Sequence, residues 1–88
     1  MAIQTLSRAR DAARAVREFN ANHPIGQRVR FWNGVREGSG LVGNTYQPAF
    51  ALGGHTACVW IRPGARGPIA LTHVEPIVDP IVDGAPAA

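Results

Sequence analysis

His23, His55, His73 and Cys58 are the side chains of this sequence best suited to bind a transition metal. Zinc sites set such ligands in tight pairs, typically two to four residues apart. No two Cys form such a pair here, although His55 and His73 would lie on or beside adjacent strands. Each His reads as a polar loop or strand-end residue, so no metal is expected. Cys58 would need a cationic neighbour to become a thiolate nucleophile. It stands between Ala57 and Val59, surroundings that disfavour charge. Ser7 and Ser39 have no nucleophile motif around them. Glu37 and Glu75 have no partner for acid–base work. Gly38-Ser39-Gly40 and Gly53-Gly54 are short glycine turns, but neither leads from a strand into a helix and no Lys follows. They therefore do not read as phosphate cradles. The expectation is a protein with no catalytic residues and no cofactor.

A different chemistry is open to Arg30, Trp32, Arg36, Tyr46, Trp60 and Arg62. Aromatic planes stack on bases, guanidinium groups or peptide side chains, and Arg adds cation–π and anion contacts. These six residues form the candidate partner-binding set. Strand parity puts Trp32 and Trp60 opposite Val29, Phe31, Val59 and Ile61. The Trp face is then either an open recognition surface or the seat of a packed helix.

The elements that must position this set follow from periodicity. Residues 5–22 read as a helix, with Leu6, Ala9, Ala13 and Val16 on one stripe and Ile3, Ala12 and Phe19 extending it. Thr5 or Ser7 can cap it, and Pro24 ends it. After Pro24 the period becomes two. Gly26 to Trp32 alternates, with Val29 and Phe31 on one face and Arg28, Arg30 and Trp32 on the other. Strands are expected near 28–33, 39–46, 55–62, 68–72 and 76–79, with a loop from Pro48 to Gly54 and turns at Pro63–Gly67 and Thr72–Pro76. Val29, Phe31, Val59, Ile61, Ile69 and Leu71 should share the core. A single domain, 1–79, with a barrel over 25–79, would leave 80–88 as a flexible tail.

Composition bounds these readings. The chain has 88 residues, room for one small domain. Apolar residues make up 45%, enough for a modest core, and charged residues only 17%, which argues against disorder. Net charge is +3, and all nine basic residues are Arg, as a GC-rich coding sequence would also produce. Seven of the nine lie in residues 1–40, so the basic half could meet an acidic partner or nucleic acid, though its field is weak. A single Cys cannot form an internal disulfide, and no segment nears the ~18 apolar residues of a membrane span. The start lacks an apolar signal region, so a cytoplasmic protein without membrane contact is expected.

A helix followed by five short strands, mainly β overall, describes a small barrel. Gly26-x-Arg28-Val29-Arg30-x-x-x-Gly34, followed by a Gly-rich second strand, resembles the opening of SH3-like barrels over residues 25–79. That resemblance implies a five-stranded SH3-like barrel. The same opening is similar to that of the plasmid-borne, trimethoprim-insensitive dihydrofolate reductases, tetramers whose pore is lined by a Val-Gln-Ile-Tyr segment. The corresponding Ile69-Ala70-Leu71-Thr72 lacks the Gln and the Tyr, so no functional residue carries over.

The expected function is a small non-enzymatic protein-interaction module, of the kind encoded by phages and other mobile elements. One alternative is a nucleic-acid-binding SH3-like barrel; a second is a small oligomeric enzyme with a site between subunits. The Ala-rich helix stripe buries too little to stand alone, so it must dock on its own barrel, at Trp32 or Trp60, or pair with a twin. The second option would make a homodimer.

Overall fold

The computed structural model describes residues 2–78 of the chain. The N-terminal helix, α1, runs over Ala2–Asn22, starting three residues earlier than the stripe alone indicates. It ends where Pro24 disfavours further helical turns. The last turn is closed by His23 N–H donating to Phe19 O at 2.8 Å and by the Asn22 amide donating to Glu18 O at 2.8 Å.

Seven strands follow: β1 (Arg28–Phe31), β2 (Leu41–Thr45), β3 (Phe50–Leu52), β4 (Thr56–Val59), β5 (Ile61–Arg62), β6 (Ile69–Ala70) and β7 (Val74–Pro76). They form two antiparallel sheets, in the orders β5-β2-β1-β7 and β3-β4-β6. The protein is thus mainly β with one helix. Two expectations need correction. Seven strands replace five, and the hydrogen-bonded ladders make two sheets, not one closed barrel. The cause is bending. The expected strand 55–62 breaks at Trp60 into β4 and β5, and the expected loop 48–54 contains β3. Tyr46 N–H donates to Trp60 O at 3.2 Å at the corner where the two sheets meet.

The last part of the chain also differs. Leu71 was expected to extend the strand of Ile69, but Leu71–His73 is a single 3-10 turn. The closing strand is Val74–Pro76, two residues before the expected 76–79. Ile77 N–H still donates to Arg28 O at 2.9 Å, so the ladder with β1 continues past it. The expected tail, 80–88, lies outside the described residues.

Period-two alternation fills the interior. Val29, Phe31, Val59, Ile61 and Ile69 form one buried cluster with Ala49 and Val74, and Val29, Phe31 and Val59 are fully buried. Leu71, expected in the core, is half-buried at its edge. The helix packs on β3 and β4. Val16 and Phe19 reach the core cluster, and Ala12 is buried. Ala51 and Ala57 face each other across β3 and β4, on the side of the sheet that carries Val59. Small side chains on the helix and on these strands allow the close approach. The seat of the helix is therefore this pair of strands; the expectation that it would rest on Trp32 or Trp60 is replaced. Val16 of the expected stripe, with Phe19, thus packs on the chain's own core.

Candidate functional site

Six side chains were expected to gather into one recognition patch. The structure separates them into two groups.

Strand parity puts Trp32 on the face opposite the core, open or covered by the helix; the structure buries it, at 8% exposure. Strand β1 ends at Phe31, so the alternation that would have turned Trp32 outward stops one residue short of it. The chain then curls around the indole. Its Nε1–H donates to Glu37 O at 3.1 Å and to Gly38 O at 3.3 Å. Gly40 lies so close that a Cβ there would stand 2.7 Å from both the indole Cε2 and Phe31 O. The Arg36 guanidinium covers the indole at 4.5 Å, donates to Thr72 O at 2.6 Å and pairs with the Glu75 carboxylate. Arg30 donates to Ser39 O at 2.7 Å. Trp32, Arg36 and Arg30 thus hold the 32–40 loop against the sheet. Beside them lies a groove of about 360 Å³, bounded by Trp32, Asn33 and Gly34 on one side and by Pro68, Ile69, Ala70 and His73 on the other.

The second group is open. Tyr46 and Trp60 have ring centroids 6.4 Å apart, and Arg62 sits over the Tyr46 ring at 4.5 Å. Phe50 stacks beside Trp60 at 6.3 Å with an interplanar angle of 17°. All three rings are half-buried and none belongs to the core cluster. Phe50 was missed by sequence reasoning because its segment read as a loop. It shares parity with Trp60 through its pairing with Cys58.

Register adds Arg28 to this group. Arg28 pairs with Asn44 across β1 and β2, and Asn44 pairs with Arg62 across β2 and β5. The three side chains form one rung on the outer face, since Val29, Thr45 and Ile61 on the intervening parity are buried. Two devices fix this rung. A Cβ at Gly43 would meet Arg62 O at 2.8 Å and Ile61 Cγ2 at 2.9 Å, so glycine lets β5 close onto β2. The buried Thr45 hydroxyl accepts from Gly26 N–H at 3.0 Å and Gln27 N–H at 3.1 Å, which pins the start of β1 to β2. The Asn44 amide donates to Gly26 O at 2.9 Å. Among the described residues, the guanidinium groups of Arg28 and Arg62 have no carboxylate or hydrogen-bond partner.

Among the described residues, no three His, Cys, Asp or Glu side chains come together as a metal site. His55 and His73 instead bond to their neighbours Thr56 and Thr72, each at 2.9 Å. Cys58 is buried, and burial pushes its thiol pKa up. No helix among the described residues is long and apolar enough to cross a membrane.

No protein-family model, curated protein or solved structure matches the chain.

Proposed function

We propose that this chain is a non-enzymatic protein-interaction module with an SH3-like arrangement of strands, binding through Tyr46, Phe50, Trp60 and Arg62. Taking β2 with β3 and β4 with β5 as halves of two bent strands reduces seven strands to five in SH3-like order. The 3-10 turn at Leu71–His73 then stands just before the last strand, which supports the same reading. The observation that carries the function is the open aromatic cluster. Three rings, half of the chain's aromatic side chains, sit together outside the core, with a guanidinium against one of them. Aromatic and Arg side chains dominate the binding energy of protein interfaces because they bury large area with few rotatable bonds.

The test is retention of a partner from lysate of the source cells by immobilised wild type and by Trp60→Ala, with melting curves to show that both are folded. A protein identified by mass spectrometry on the wild type, and lost with Trp60→Ala, supports the reading. Retention of nothing, or equal retention by both, overturns it.

A further inference from the structure

The aromatic cluster does not end at Arg62. It continues along the rung Arg28–Asn44–Arg62, so the outer face of β1, β2 and β5 is apolar at one end and cationic at the other. Neighbouring strands lie about 4.8 Å apart, which sets the two Arg stems roughly 10 Å from each other with Asn44 between them. The two side chains put like charge on one open face, with the Arg62 guanidinium over the Tyr46 ring. An anionic group above Asn44 would lie within reach of both.

We infer that Arg28 and Arg62 form a clamp for carboxylate side chains, and that the partner is an acidic protein segment whose apolar residues lie on Tyr46 and Trp60. This rests on the interaction-module reading and names the partner's chemistry. Charge complementarity carries it. Guanidinium groups accept carboxylates in bidentate geometry, and these two have no competing acid among the described residues. Glu75, on β7 beside β1, is held by Arg36.

A polynucleotide fits this face less well. Tight tracking of a phosphate backbone takes on the order of 6–10 cationic contacts. Among the described residues, two of the four arginines near this face already have partners. Arg30 is spent on Ser39 O, and Arg36 on Thr72 O and Glu75.

The experiment is selection from a random twelve-residue peptide library on the wild type, followed by affinity measurement on Arg28→Gln, Arg62→Gln, the double variant and Trp60→Ala. Tyr46→Ala replaces Trp60→Ala if the latter does not fold. The oligonucleotide dT20 serves as competitor. The expected consensus combines Asp or Glu with apolar residues. Its binding should weaken about tenfold in each Gln variant and further in the double variant, and should fall with added salt. A consensus without acidic residues, or equal binding by the double variant, overturns the clamp. If Trp60→Ala still abolishes that binding, the interaction-module reading stands without it. Binding of dT20 tighter than that of the selected peptide overturns the acidic-segment assignment in favour of a polynucleotide. No enriched consensus at all removes both readings.

Discussion

The side-chain amide of Asn20 satisfies both polar groups of the Ala49 backbone. Its Oδ1 accepts from Ala49 N–H at 2.8 Å, and its Nδ2 donates to Ala49 O at 3.1 Å. Asn20 lies on the helix and Ala49 just before β3, so the pair fastens one to the other where Ala49 is buried. Water cannot readily replace both bonds there. Asn20→Ala should therefore cost about 1–3 kcal/mol, the penalty for leaving buried backbone groups unpaired. Urea denaturation measures it. A loss below about 0.5 kcal/mol would mean that water enters the joint.

Gly40 and Gly38 separate two effects that usually act together. Both have positive φ, +68° and +74°. A Cβ at Gly38 would meet nothing within 4 Å, whereas one at Gly40 would strike Phe31 O and the Trp32 indole at 2.7 Å. Gly38→Ala should cost only the left-handed backbone term, roughly 1–2 kcal/mol. Gly40→Ala should cost more and should perturb Trp32 fluorescence. Equal melting temperatures for the two variants would show that the loop moves away freely.

Phe31 is fully buried in the core cluster. Phe31→Ala should destabilise the fold by about 3–5 kcal/mol. In a domain of this size that is a large part of the total. A chemical denaturation midpoint near that of the wild type would contradict the core register.

Cys58 should label slowly with a thiol reagent in the native state and rapidly in denaturant, because its thiol is buried and protonated. Burial also fixes a pH dependence. The folded thiol has the higher pKa, so the unfolded chain releases its proton first as pH rises past about 8.5. The stability contribution is full below that pH and declines above it, by at most about 1.4 kcal/mol per pH unit. Urea titrations between pH 7.5 and 10 should show this decline in the wild type and its absence in Cys58→Ala. Parallel curves would place the thiol in contact with water.

Much of this fold was legible in the sequence, wherever a repeating pattern persisted for four or more residues. Val29 and Phe31, then Val59 and Ile61, announce their buried face by alternation alone, and Pro24 marks the helix boundary. What failed depended on where alternation stops. Trp32 is one residue beyond β1, and its burial comes from a loop that returns to it at Gly38 and Gly40. Ala49 and Phe50 follow Pro48 in a segment too short to show a period, so a core residue and a ring of the candidate site were both read as loop. Arg28 was placed on the correct face of its strand. Its nearness to Arg62 depends on two strand pairings and on the missing Cβ of Gly43, which no local pattern records.

The bond from Tyr46 N–H to Trp60 O sits at a corner that belongs to both sheets. The ribbon from Leu41 to Leu52 and its partner from Thr56 to Arg62 each pass through it. No plane therefore divides the molecule into a half that could melt alone. Opening either sheet pulls on the shared ribbon and releases the other. Amide protons of β1 and β4, in different sheets, should accordingly exchange with solvent through one global event, with the same free energy of opening.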